Sequence, residues 1–176
     1  LKKKNYIIQS PVDINFFDPN IEYGTHEFQI KFLKEKKIIV GTIGNINPNK
    51  GHTTLLKTIK LLSLYSNNLI FLIAGPVYES QKKYFNYLNE KIKKEDIKNI
   101  YFLESKKDIR PILDIIDIYV CSSENEASPL SVWEAMSMEK AIVSTDVGDV
   151  GKFILHGING YIVEKGDSKM QSLNHH

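Results

Sequence analysis

The sequence predicts an α/β fold, a doubly wound parallel sheet with helices on both faces. Five short runs rich in apolar and β-branched residues, 37–44 (KIIVGTIG), 69–75 (LIFLIAG), 100–104 (IYFLE), 118–123 (IYVCSS) and 141–148 (AIVSTDVG), are separated by longer segments of helical period. The runs are apolar throughout instead of alternating with polar residues. That is the pattern of parallel strands covered on both faces.

Taken in order, residues 1–36 come first and read as a connecting arm. NYIIQSPVDINFFDP suggests a short strand and then a loop punctuated by Pro and Asp, with no strand-helix unit of its own. After the first run, Leu55, Ile59 and Leu62 fall at i, i+4 and i+7, one stripe for packing on a sheet. After the second, Tyr84, Leu88 and Ile92 repeat the pattern. GINGYIV closes the series with an Asn-Gly turn and a last short strand. The domain is therefore expected over 37–168. Residues 169–176, ending in Asn-His-His, read as a tail of tag origin, and a start on Leu1 suggests an excised piece.

Composition excludes several classes. With 42% hydrophobic residues in 176, the chain can bury one core. A net charge of +2 gives no reason to expect nucleic acid, and the lysine runs LKKK and KFLKEKK read as solvated faces. The single cysteine, Cys121, excludes an internal disulfide framework and a thiolate zinc site. It reads as a core filler in a reducing, cytoplasmic setting. The apolar runs are far shorter than a membrane span. Membrane association has no support in these runs. His26, His156, His175 and His176 show no ligand spacing, and no metal is expected. His52 is expected to be solvated, and Trp133 to pack its helix on the sheet.

In such sheets ligands sit where the carboxyl ends of strands meet helix starts. The first of these loops, GTIGNINPNKGHTTLL, is not a Walker loop, because Lys50 precedes Gly51, and Gly41 with Gly44 do not make a dinucleotide fingerprint. Gly44 marks a close backbone approach, and Asn47 or Asn49 is expected to cap the following helix. Lys50 near that helix start opposes the helix dipole, a conflict that an anionic ligand would remove. Taken alone, the loop serves equally well as a turn bearing a surface lysine.

The other loop is SSENEASPLSVWEAMS. Pro129 suits the first helical position with Ser128 as N-cap, leaving the amides of Leu130 and Ser131 free for an anion facing Lys50. Glu126 falls in the loop and Glu134 inside the helix, so they do not share one helical face. Two carboxylates flanking an anion cradle can accept hydrogen bonds from hydroxylated rings on both sides of a phosphate, as in a nucleotide sugar. By spacing alone, a solvated helix former and a dipole-compensating acid explain the pair equally well.

In this order and spacing, GNINPNKGHTTLL, IAGP, YFLESKKDIRPIL, DIYVCSSENEASPLSVWEAMS and AIVSTDVGDVGKFILHGINGYIV resemble the carboxyl-terminal donor domain of family 4 (group 1) retaining glycosyltransferases. The likeness spans about residues 37–166 and includes an E-x7-E signature at Glu126 and Glu134. It implies a Rossmann-like domain, one half of a two-domain GT-B architecture. It further implies that Lys50 contacts the donor diphosphate, Glu126 the transferred sugar and Glu134 the ribose hydroxyls. The backbone from Ser128 through Leu130 to Ser131 would meet sugar and phosphates, and Phe102, Leu103 and Glu104 would border the base. Gly44 and Asn45 complete the expected donor-binding set, and Glu126 and Lys50 the catalytic pair. The resemblance further implies transfer with retention and without metal or cofactor, front-face departure of the diphosphate being favoured over a covalent intermediate, so Glu126 is not assigned as a nucleophile.

Departures from the pattern are informative. Asn45 stands where the family usually places an Arg, and Asn supplies no charge to a leaving diphosphate. Asp149, Gly151 and Lys152 replace a usual Gly, Pro and Glu. The resemblance implies an amino-terminal acceptor domain as partner, for which this chain has no room. Two alternatives have other consequences: a non-catalytic nucleotide-binding or scaffold domain, which Asn45 favours, and half of a nucleotide-sugar epimerase.

Overall fold

Each apolar run becomes a strand, because only a sheet covered on both faces removes such runs from water. The computed structural model describes residues 12–24, 36–104 and 107–166. The strands are β1 (Ile38–Ile43), β2 (Leu69–Ala74), β3 (Ile100–Leu103), β4 (Ile118–Cys121), β5 (Ala141–Thr145) and β6 (Tyr161–Val163). They form one sheet in the order β3-β2-β1-β4-β5-β6, with every neighbouring pair parallel. The helices are α1 (His52–Ser63), α2 (Lys82–Lys94), α3 (Arg110–Ile115), α4 (Leu130–Ser137) and α5 (Val150–Phe153).

Successive strand residues point to opposite faces, so one strand feeds two cores. Val40, Phe71, Ile73, Val120 and Val143 meet Leu55, Leu56, Ile59 and Leu62 of α1 and Leu88 of α2. Ile39, Leu72, Tyr119, Cys121 and Ile142 meet Leu113 of α3, Val132, Ala135 and Met138 of the α4 region and Val150 of α5. Both predicted stripes face the sheet, Tyr84 and Ile92 partly buried beside Leu88. Each fully buried Leu or Ile contributes about 1.5–3 kcal/mol, so the two-sided core holds the strand ends in place.

The arm is more than a connector. Among its described residues, 12–24 form turns without helix or strand, yet Phe17 is buried in the core and its carbonyl accepts from Ser137 Oγ at 2.8 Å. Arg110, gripped by Asp108 through two hydrogen bonds of 2.9 and 2.6 Å, stacks 3.7 Å from the Phe16 ring. The short strand expected at the start of NYIIQSPVDINFFDP and the tail at 169–176 lie outside the described residues.

Chain order reverses between β1 and β4, which places a crevice between the loops that follow them. Lys50 is on one of these loops and Glu126 on the other.

Candidate functional site

The loop after β1 is built around one turn. Gly44 ends the strand, its N–H donating to Ala74 O at 2.9 Å. Asn47 Oδ1 accepts from the Asn49 N–H at 2.9 Å and starts a 3-10 turn over Pro48–Lys50, which Gly51 closes at φ 66°. Neither asparagine caps α1. Pro48, with its fixed φ, directs the Asn47 cap onto this short turn, and Gly51 occupies the N-cap position of α1. Lys50 thus lies just outside the helix instead of in its first turn. Its stem passes over Gly44, where a Cβ would come 3.2 Å from Lys50 Cε.

Three hydrogen bonds tie the loop after β4 to its surroundings. Ser122 Oγ donates to Lys50 O at 2.8 Å and the Glu124 N–H to Asn49 O at 2.7 Å, joining the two loops. Thr145 Oγ1 donates to Ser123 O at 2.6 Å, joining β5. A Cβ on Gly51 would collide with Ser122 O, and one on Gly148 with Ala127 O, so both loops are seated backbone to backbone. Across this frame Lys50 Nζ donates to Glu126 Oε1 at 2.6 Å, with side-chain exposures of 24% and 18%. Ser123 Oγ donates to the same oxygen at 2.9 Å. The structure therefore pairs two residues that the sequence reading assigned to different parts of a ligand. Glu124 keeps its side chain exposed, and its amide makes the loop contact.

The start of α4 differs from expectation. Pro129 is the N-cap, not the first helical residue, and the Ser128 hydroxyl does not cap. Pro129 O accepts from the Val132 N–H at 2.9 Å, leaving Ser128 Oγ to accept from the Trp133 indole at 3.0 Å. Trp133 meets Phe153 edge-to-face at 5.2 Å and packs partly buried on the core. The amides of Leu130 and Ser131 still open the helix without a partner one turn ahead. The Ser131 side chain turns inward to the hydroxyl of buried Tyr119, whose pKa burial raises. Glu134, in the second turn, is half-buried, and desolvation raises its carboxyl pKa.

The remaining candidates are dispersed. Phe102 and Leu103 lie inside β3 rather than after it. The Phe102 ring packs edge-to-face on Phe85 at 5.0 Å, so Glu104 is the exposed residue of that segment. Asn45 is half-buried, its carbonyl accepting from Asn47 Nδ2 at 3.4 Å. His52 is buried, not solvated: its Nδ1 lies 3.3 Å from Asn47 O, and desolvation, ahead of the nearby Lys50 charge, lowers its pKa to about 4. Cys121 is buried. Among the described residues, no three His, Cys, Asp or Glu side chains gather as a metal site, and no helix is long and apolar enough to cross a membrane. Sequence reasoning missed Ser123 and the backbone roles of Gly51 and Gly148. It noted Asp149 only as a departure, and the structure buries it with Oδ1 unpartnered. The one sequence signal for Ser123 is a hydroxyl three residues before Glu126.

The family described as glycosyl transferases group 1 matches residues 25–174. This chain belongs to the group 1 glycosyltransferases. An Escherichia coli UDP-Gal:alpha-D-GlcNAc-diphosphoundecaprenol alpha-1,3-galactosyltransferase is 26% identical over 165 residues, covering 92% of this chain and 41% of its own length. A Salmonella typhimurium lipopolysaccharide 1,2-N-acetylglucosaminetransferase is 27% identical over 135 residues, 73% of this chain and 35% of its own length. The chain thus spans about two fifths of the length of the curated relatives it matches. Among solved structures, Anabaena HepE in complex with UDP and glucose superposes with a TM-score of 0.80 at 21% identity, over 95% of this chain and 45% of that one. The C-terminal domain of a Francisella tularensis group 1 glycosyltransferase gives 0.76 at 24% identity, over 92% and 84%. At these identities the structural likeness establishes the fold, one Rossmann-like half of a GT-B glycosyltransferase. With the family shown, the epimerase alternative falls.

Proposed function

We propose that this group 1 glycosyltransferase chain is the donor-binding half of a retaining, metal-independent enzyme. It would transfer a hexosyl or related sugar from a nucleotide diphosphate sugar to a glycan or lipid acceptor bound by a separate amino-terminal domain. The observation that carries the reading is the convergence of Lys50 and Glu126 at the reversal of strand order, beside the open amides of α4. The cation and amides suit a diphosphate, and the free oxygen of Glu126 suits a sugar hydroxyl. Half-buried Glu134 suits the ribose diol. In transfer, the bond from the anomeric carbon to the diphosphate breaks, the acceptor oxygen forms the new bond and passes its proton to the departing diphosphate oxygen, and the nucleoside diphosphate leaves. Lys50 and the amides of Leu130 and Ser131 stabilise the charge that develops on the leaving group. Asn45 adds no charge, so Lys50 is the only cation of this loop for that role. The UDP held by the Anabaena protein supports the donor class.

Calorimetry with UDP and GDP tests the reading. One of them is expected to bind, with at least a tenfold loss in Lys50→Ala and in Glu134→Ala. Binding of neither nucleotide, or binding indifferent to both substitutions, overturns it.

A further inference from the structure

We propose that Ser123 is a positioning residue for Glu126, holding one carboxylate oxygen so that the other faces the sugar of a bound nucleotide sugar. The inference rests on the donor-site reading above. Ser123 is 2% exposed, so its hydroxyl serves the protein's own groups. Its backbone is pinned by Thr145 Oγ1 at 2.6 Å, and its Oγ receives the Cys121 thiol at 3.6 Å. Its one hydroxyl proton is directed to Glu126 Oε1 at 2.9 Å. Lys50 donates to that same oxygen, and among the described residues no hydrogen bond reaches Oε2. Two donors on one oxygen fix the carboxylate plane and leave the second oxygen as the acceptor for a ligand hydroxyl.

The two donors differ in what a diphosphate does to them. Lys50 carries a charge on a long stem, and a diphosphate draws that charge away from Glu126. Ser123 is neutral, short and buried, and stays. Once the donor is bound, the Ser123 hydroxyl is the contact that keeps Glu126 from turning.

A double-mutant cycle over Ser123→Ala and Glu126→Ala tests this, read by calorimetry with UDP and UDP-glucose, or with GDP and GDP-mannose if GDP is the nucleotide bound. Ser123→Ala is expected to leave nucleoside diphosphate affinity within about twofold and to weaken the nucleotide sugar by roughly three- to tenfold, the range of one hydrogen bond to a charged group. In the Glu126→Ala background it should cause no further loss. Equal losses for both probes, or a loss that persists without Glu126, overturn the proposal and make Ser123 merely structural. If wild type binds no nucleotide, the donor-site reading fails, and urea unfolding of the same four proteins still decides the contact. Non-additive midpoints support the hold of Ser123 on Glu126, and additive ones overturn it.

Discussion

Lys50 Nζ lies 2.6 Å from Glu126 Oε1, although 76 residues of chain separate them. The pair bridges the loops of β1 and β4, so the cation available to a diphosphate is already held by a carboxylate. A diphosphate must compete with that carboxylate. Glu126→Gln removes the competitor while keeping the shape, and is expected to tighten nucleoside diphosphate binding by roughly three- to tenfold, about the 1 kcal/mol of a partly exposed ion pair. Lys50→Ala weakens it. Calorimetry on the two variants checks the opposed signs, and weakening in both would show that the pair does not compete with phosphate.

Glu134 ties stability to pH. Burial raises its carboxyl pKa in the folded chain above the ordinary value of 4.5. Above the raised value the carboxylate is ionised in both states, and only the folded state bears the desolvation cost. Below 4.5 it is neutral in both, and the cost vanishes. Glu134→Gln is therefore expected to be more stable than wild type at neutral pH and to lose that advantage as pH falls to about 4. Urea midpoints at both pH values check it. The same variant should bind nucleoside diphosphate about tenfold more weakly, as expected for losing a hydrogen bond to a charged group.

The strands were legible because an apolar run such as LIFLIAG has no other stable place than a covered sheet. Glu126 and Glu134 were legible as ligand residues through their spacing and the family signature. The Lys50–Glu126 contact was not, because it depends on β1 lying beside β4, a neighbour relation that no local pattern encodes. Pro129 carried a cap signal that fits two registers, and only the indole of Trp133 reaching Ser128 Oγ selects between them. His52 was misread because a histidine at a helix start looks the same whether open or covered. Here the Asn47–Pro48 turn and Tyr84, 6.3 Å away between ring centroids, enclose it.

Gly51 is the point where the two loops touch. It has φ 66°, and a Cβ would collide with Ser122 O. Gly51→Ala therefore combines left-handed backbone strain with a clash against a carbonyl and should cost about 2 kcal/mol or more. Since Lys50 O is tied to Ser122 Oγ beside it, the loop shift also separates Lys50 from Glu126. Denaturant unfolding and nucleotide affinity are both expected to fall, whereas Gly166→Ala, whose Cβ would meet nothing within 4 Å, should leave affinity unchanged.

His52 supplies the opposite pH slope. Its pKa falls from 6.5 to about 4 on folding, chiefly through desolvation. Between those values the unfolded chain binds the proton and the folded chain does not, so stability is complete above 6.5 and drains as pH falls towards 4. The fall from 6.5 to about 4 corresponds to about 3 kcal/mol. His52→Gln keeps a donor for Asn47 O without titrating, and should flatten the acid limb of a stability curve between pH 6.5 and 4. Glu134 works in the other direction over part of that range, so each effect is read as a difference between variant and wild type at each pH. An unchanged acid limb in His52→Gln would mean that the imidazole is protonated inside the fold, and the Asn47–Pro48 turn would then have to open to water.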